Sequence, residues 1–136
     1  MARPTIAIIG AGFAGYNAAR VLARRMPDSE VVLVNPTDYF LYLPLLPEVA
    51  AGILDPRRVT VSIPGTLRKV RLLLGSVESV RLEEKQLTYV DPEGDRGELS
   101  FDRVLLTTGS VNKLLPIPGV AKHARLPQHR RGALPA

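Results

Sequence analysis

One stretch near the start constrains this chain more than any other: TIAIIGAGFAG, Thr5 to Gly15. A short apolar run, Ile6 to Ile9, meets three glycines at G-x-G-x-x-G spacing, Gly10, Gly12 and Gly15. Apolar, alanine-rich sequence then continues to Arg25. Strand, tight turn and helix in that order open a βαβ unit of the kind that holds a dinucleotide. Each glycine has a mechanical reason. Gly10 permits the sharp exit from the strand, Gly12 lets backbone approach a pyrophosphate, and Gly15 lets the helix lie close to the sheet. The first helical N–H groups have no intrahelical partner and sit at the positive end of the helix dipole, which suits a diphosphate.

The sequence after the turn continues the unit. A helix is predicted from about Phe13 to Arg25, with Ala14, Ala18, Val21 and Leu22 on its apolar stripe, and Pro27, Asp28 and Ser29 end it. Glu30 to Val34 (EVVLV) is a near-continuous β-branched run, as expected of a buried parallel strand. The crossover between the two strands is then right-handed. Beyond the second strand, about 20 residues past the glycines, such units usually carry an acid for ribose hydroxyls. Here the position holds Asn35, followed by Pro36. An amide accepts one hydroxyl bond and donates another. It has no charge with which to repel a 2′-phosphate.

The segment NPTDYFLYLPLLPEVAAGILDPRR crowds Tyr39, Phe40 and Tyr42 among leucines and four prolines. Pro44 and Pro47 break any long helix, although Pro47 suits the first turn of a short one ending near Ala51 and Gly52. Two roles stay open for it: a loop capping the core, or a wall of the cofactor pocket. Val59 to Ile63 alternates like an edge strand, Pro64 and Gly65 make a turn, and Val70 to Leu74 is a further buried-strand candidate. From Gly75 to Asp102 apolar and polar residues alternate, with turn signals at Glu83 to Lys85 and at Asp91 to Gly97, which predicts an antiparallel meander with one wet face. Arg103 to Thr108 returns to a buried-strand pattern, stopped by Gly109.

Composition excludes several functions. The 136 residues suit one domain with a substantial core. Without cysteine, the chain has no disulfide, thiolate metal site or redox dithiol. His123 and His129 have no acid close by in sequence, so no metal site is expected. The net charge of +5 does not imply nucleic acid as a partner. Arg125, Arg130 and Arg131 lie in an acid-free final segment, and no basic stripe with interleaved aromatics occurs elsewhere. Ile6 to Ala19 is interrupted by glycines and shorter than the ~20 apolar residues a membrane span needs. It reads as a cytoplasmic start, not a signal peptide.

With these parts in place, the chain resembles the N-terminal part of an FAD-dependent pyridine-nucleotide oxidoreductase, and within that superfamily the type II (alternative) NADH:quinone dehydrogenases. Three stretches carry the resemblance: IAIIGAGFAG, NPTDYFLYLPLLPEVAAGILDPRRV and FDRVLLTTGSVNKLLPIPGV. Flavin disulfide reductases place a C-x-x-x-x-C pair shortly after the second strand, where this chain has LYLPLLPEV. The resemblance implies an α/β fold: a Rossmann-like βαβ FAD-binding sheet with an inserted antiparallel β-meander, and an incomplete domain over residues 1–120 with the meander at about 75–102. It implies that Gly10, Ala11, Gly12, Phe13, Ala14 and Gly15 surround the FAD diphosphate, with Asn35 and Pro36 at the adenosine ribose. It further implies that Val77 meets the adenine through its backbone, that Thr108 and Gly109 line the flavin side, and that Pro44 and Leu45 approach the isoalloxazine. No catalytic residue is expected from this segment, because the flavin carries the chemistry.

The implied function is that of an FAD-binding fragment of an NADH dehydrogenase-like oxidoreductase, inactive alone. A second G-x-G-x-x-G unit for NADH is absent from the sequence. Quinone and a membrane surface are partners expected only of full-length relatives, and an exposed sheet edge is an expected site of self-association. The alternatives are a stand-alone dinucleotide-binding module without redox activity, or another FAD-dependent NAD(P)H oxidoreductase. Residues 121–136 are expected to be a non-native or disordered basic tail. Codons for Ala124 to Ala136 can be chosen so that another frame gives Gly-Phe-Arg-Ser-Ile-Ala-Glu-Ala-Leu-Tyr-Leu, the kind of helix with which relatives continue. That points to a frameshifted or truncated product, with a genuine basic interaction tail as the alternative.

Overall fold

A computed structural model describes residues 3–110, 117 and 118. The expected tail, residues 121–136, lies outside the described residues.

The first βαβ unit forms as its pattern dictates: β1 (Thr5–Ile9), α1 (Phe13–Arg25) and β2 (Glu30–Asn35). Two more parallel strands flank it, β5 (Arg71–Leu74) beside β2 and β9 (Arg103–Leu106) beside β1, giving the order β5-β2-β1-β9. In order of appearance these are the third, second, first and fourth strands of the sheet, the arrangement of a doubly wound nucleotide-binding fold. The direction of winding reverses between β1 and β9.

Both faces of this sheet are covered, which explains why its central strands read as unbroken apolar runs. Ile8, Val31 and Leu33 point to one face, where they meet Ala11 and Ala19 of the first turn and helix, with Phe40, Ile63 and Leu67. Ala7, Ile9, Val32 and Val34 point to the other. There they meet Leu87, Leu99 and Phe101, from or next to an antiparallel meander. Its strands are β6 (Ser76–Arg81), β7 (Gln86–Val90) and β8 (Arg96–Ser100). The period-two alternation of β1 and β2 therefore divides two cores.

Four expectations need correction. The buried positions of α1 are Gly15 and Ala19, while Ala14 and Val21 are exposed. Ala18 and Leu22 pack on the core as expected, but the helix lies closest to the sheet where its side chains are smallest. The aromatic loop contains a strand the sequence did not announce, β3 (Tyr39–Leu41), paired antiparallel with β4 (Thr60–Ser62). Pro44 and Pro47 then allow a 3-10 turn, Leu43–Leu45, and the short helix α2 (Leu46–Ala50), which Gly52 follows at φ +75°. The expected turn at Pro64 and Gly65 is a one-turn helix, α3 (Ile63–Thr66), because Ser62 Oγ accepts the Gly65 N–H at 3.2 Å and caps it. Finally, β5 and β9 are edge strands with half-exposed residues rather than buried ones, since each pairs on one side only among the described residues.

Candidate nucleotide site

The carboxyl ends of the four parallel strands bring together most of the residues singled out in the sequence. Gly10 leaves β1 at φ +97°, a conformation L side chains rarely adopt, and its N–H donates to the Val34 carbonyl at 2.9 Å. A Cβ on Gly10 would also lie 2.6 Å from the Thr107 carbonyl oxygen. Buried Ala11 donates its N–H to Asn35 Oδ1 at 2.9 Å. A Cβ on Gly15 would overlap the Gly10 carbonyl oxygen and sit 2.6 Å from Thr107 Oγ1. The turn is therefore clamped from both neighbouring strands.

Gly12 behaves differently. Its φ of −72° and ψ of −167° are open to any residue, and a Cβ there would meet nothing within 4 Å. The fold does not need glycine at this position, whereas a ligand lying on its backbone would. Gly12 is also the N-cap of α1, which has no side-chain cap and no acid in its first turn. The N–H groups of Phe13, Ala14 and Gly15 thus open this 13-residue helix without a side-chain acceptor, at the positive end of its dipole. This cradle fits a diphosphate.

The other expected residues lie around this point. Asn35 ends β2 with both ends of its amide engaged: Oδ1 accepts the Ala11 N–H, and Nδ2 donates to the Thr37 carbonyl at 2.9 Å and to Thr37 Oγ1 at 3.0 Å. Pro36 is exposed beside it. Thr108 and Gly109 are exposed just past β9, Gly109 at φ +67°. Pro44 and Leu45 occupy the 3-10 turn after Tyr42, and that loop is tied to the helix start by Phe13. The Phe13 ring meets Phe40 edge-on at 5.0 Å and Tyr42 at 5.3 Å, and Phe40 stacks on Tyr16 at 5.0 Å. Buried Phe40 caps the core, while Phe13 and Tyr42, each 42 % exposed, form an open aromatic wall. The capping role is thus filled by Phe40, and an aromatic pair stays open beside the helix start.

Val77 stands apart. It lies on β6 and packs on the meander side of the sheet. Its link to the other residues is Gly75, whose N–H donates to the Asn35 carbonyl at 2.9 Å. As the edge of the three-stranded meander, β6 has backbone groups with no strand partner on one side.

Thr107 escaped the sequence analysis as a site residue. Its Oγ1 lies 2.8 Å from both the Ile9 and Gly10 carbonyls, and its N–H donates to Ile9 at 2.9 Å. The period of β9 could have found it. Val104 faces the meander and Leu105 faces α1, so Thr107 shares the side of Leu105, toward the glycine turn.

The assembly gathers backbone donors and uncharged side chains. None of the residues it gathers carries an acid, base or nucleophile of ordinary reactivity. Its polarity is that of backbone N–H groups, one amide and three threonines. It occupies the crevice outside the strand ends at the point where the strand order reverses, the usual ligand position in an open α/β sheet.

Comparison with known proteins shows the family. The sequence pattern of the family described as pyridine nucleotide-disulphide oxidoreductase matches residues 4–132. The chain belongs to this family. The chain is 28 % identical to the mitochondrial external alternative NAD(P)H-ubiquinone oxidoreductase B4 of Arabidopsis thaliana, over 95 % of this chain and 23 % of that protein. It is 38 % identical to the type II NADH:quinone oxidoreductase NdhA of Mycobacterium tuberculosis, over 63 % of this chain and 18 % of that one. The structure of NDH2 from Plasmodium falciparum in complex with NADH superimposes with a TM-score of 0.80 at 29 % identity, covering 89 % of this chain and 25 % of that chain. The chain thus spans about a quarter or less of the length of these relatives. Within the family this member has no cysteine, so disulfide exchange is not chemistry its own residues perform. Among the described residues no helix is long and apolar enough to cross a membrane.

Proposed function

We propose that this chain forms the adenosine-diphosphate half of an FAD site in an NADH:quinone oxidoreductase of the type II class, and that it does not oxidise NADH by itself. Gly12 carries the proposal: it is a glycine that its own backbone does not require, at the uncapped start of α1. In this reading the N–H groups of Gly12, Phe13 and Ala14 hold the diphosphate, and Gly10 and Gly15 set the turn that aims them. Asn35 Oδ1 accepts one ribose hydroxyl with its remaining lone pair. The edge of β6 at Val77 offers backbone to the adenine, and Thr108, Gly109, Pro44 and Leu45 border the flavin end. Phe13 and Tyr42 keep water from one side of the crevice. Bound FAD would supply the capacity to take a hydride from NADH and pass electrons on to a quinone. Quinone, membrane surface and NADH are engaged by parts of the longer relatives, consistent with the single G-x-G-x-x-G unit in this sequence. Residues 1–120 form the nucleotide-binding unit in this proposal, with 121–136 apart from it and the whole on the cytoplasmic side.

The test is the flavin spectrum of the purified protein and the Gly12→Ala variant. Unmodified protein is expected to bind FAD without oxidising NADH. Gly12→Ala is expected to melt at the same temperature yet bind FAD at least about tenfold more weakly, a loss of ~1.4 kcal/mol. Unchanged FAD affinity in Gly12→Ala would sink the diphosphate assignment. A colourless protein that binds NADH would instead favour a dinucleotide-binding module without redox activity, and turnover of NADH with a quinone would refute the claim that the chain is insufficient alone.

A further inference from the structure

Asn35 is held at both ends by groups whose hydrogen-bonding direction is fixed. Ala11 N–H donates to its Oδ1 at 2.9 Å, and its Nδ2 donates to the Thr37 carbonyl at 2.9 Å and to Thr37 Oγ1 at 3.0 Å. The Thr37 hydroxyl spends its own proton on the Tyr39 carbonyl at 3.1 Å. A backbone N–H only donates and a backbone carbonyl only accepts. The group between them must therefore accept on the side of the glycine turn and donate on the side of Thr37. A primary amide does both, and a carboxylate only accepts. The main chain has no slack to relieve a mismatch, because the Asn35 carbonyl takes the Gly75 N–H at 2.9 Å.

We propose that Asn35 is a positioning residue whose amide latches the glycine turn to the corner between β2 and β3, so that this site must recognise a ribose without a carboxylate. The ribose clause rests on the dinucleotide function proposed above, and the latch does not. With both amide hydrogens engaged, Oδ1 keeps a single lone pair for one hydroxyl. Aspartate, the residue type that such turns usually place here, would set a negative oxygen against the Thr37 carbonyl. The common residue is thus the wrong one for this corner.

Asn35→Asp and Asn35→Ala are compared with the unmodified chain by ligand-free thermal melts and by FAD fluorescence titration, at about pH 8 and about pH 5, above and nearer to the carboxyl range. At the higher pH, Asn35→Asp is expected to melt at least about 4 °C lower and to bind FAD at least about tenfold more weakly. On acidification the introduced carboxyl gains a proton and donates it to the Thr37 carbonyl, so both deficits shrink. The folded chain favours the protonated carboxyl, raising its pKa above the unfolded value, and stability relative to the unmodified chain rises as pH falls. Asn35→Ala cannot titrate and keeps its deficit at both pH values. If Asn35→Asp folds only at the lower pH, the latch is supported in its most extreme form. Equal melting of Asn35→Asp and the unmodified chain at about pH 8 overturns the latch. FAD binding by Asn35→Asp that is unaltered or tighter overturns the ribose clause. Failure of the unmodified chain to bind FAD, with the pH-dependent melting difference intact, counts against the dinucleotide function while supporting the latch.

Discussion

Gly12 and Gly15 respond in opposite ways to the same added methyl group. At Gly15 the new carbon overlaps the Gly10 carbonyl oxygen, a backbone atom that cannot swing away, and lies 2.6 Å from Thr107 Oγ1. Alanine gains about 1 kcal/mol in helix propensity over glycine, against overpacking of about 1–3 kcal/mol. The clash dominates because the turn is pinned on two sides. Gly15→Ala is expected to lower the urea midpoint by a net loss of up to about 2 kcal/mol, whereas Gly12→Ala leaves that midpoint in place. An unchanged midpoint in Gly15→Ala would mean that helix and turn are not in contact as described. The spacing of the glycines announced both positions. It also announced the close packing at Gly15; what it did not announce is the partner that crowds it, Thr107, about a hundred residues away in sequence.

The meander holds the second face of the sheet, and Leu87 is its anchor. Leu87 of β7 is fully buried among Ala7, Ile9, Val32 and Val34, so the alternation of β1 and β2 is satisfied only when β7 is in place. Leu87→Ala is expected to destabilise the whole chain by about 2–5 kcal/mol. If meander and sheet unfold as one unit, the denaturant midpoint falls while the slope stays the same. A separate early transition would show instead that the meander is a satellite. This division of labour was partly legible. The 28-residue stretch from Gly75 to Asp102 alternates so regularly, with turn residues at the right intervals, that its three strands followed from pattern alone. Glu30 to Val34 was equally plain. By contrast, β3 is three residues long between prolines and exists only because β4, some twenty residues later, pairs with it. Such a pairing leaves no local trace. The apolar stripe of α1 was only partly right for a related reason: Ala18 and Leu22 pack on the core, but hydrophobicity gives no weight to glycine, and Gly15 marks the closest approach. Asn35 looked like a weakened ribose reader, and only its distance to Ala11 and Thr37 revealed a structural duty.

The sheet ends in two open strands, and they are not equivalent. Leu74 at the end of β5 is 40 % exposed, whereas Leu106 at the end of β9 is 64 % exposed, with unpaired backbone along the outer side of β9 among the described residues. An apolar edge with free N–H and C=O groups is a template for another strand. A second copy of this chain would supply a matching one: two β9 strands related by a two-fold axis would pair antiparallel, each presenting the same patch to the other. The short charged flank at Arg103 offers little protection at the Leu106 end. Sedimentation velocity is therefore expected to show a monomer–dimer equilibrium that shifts toward dimer as protein concentration rises. Leu106→Lys places a charge in the middle of the apolar contact and is expected to leave the chain monomeric, with FAD affinity and melting temperature little changed because the side chain contributes little to the core. Leu74→Lys, on the opposite edge, is expected to dimerise like the unmodified chain. Dimerisation that survives Leu106→Lys but is lost with Leu74→Lys would move the contact to β5. A chain that stays monomeric at every concentration would overturn the β9 pairing.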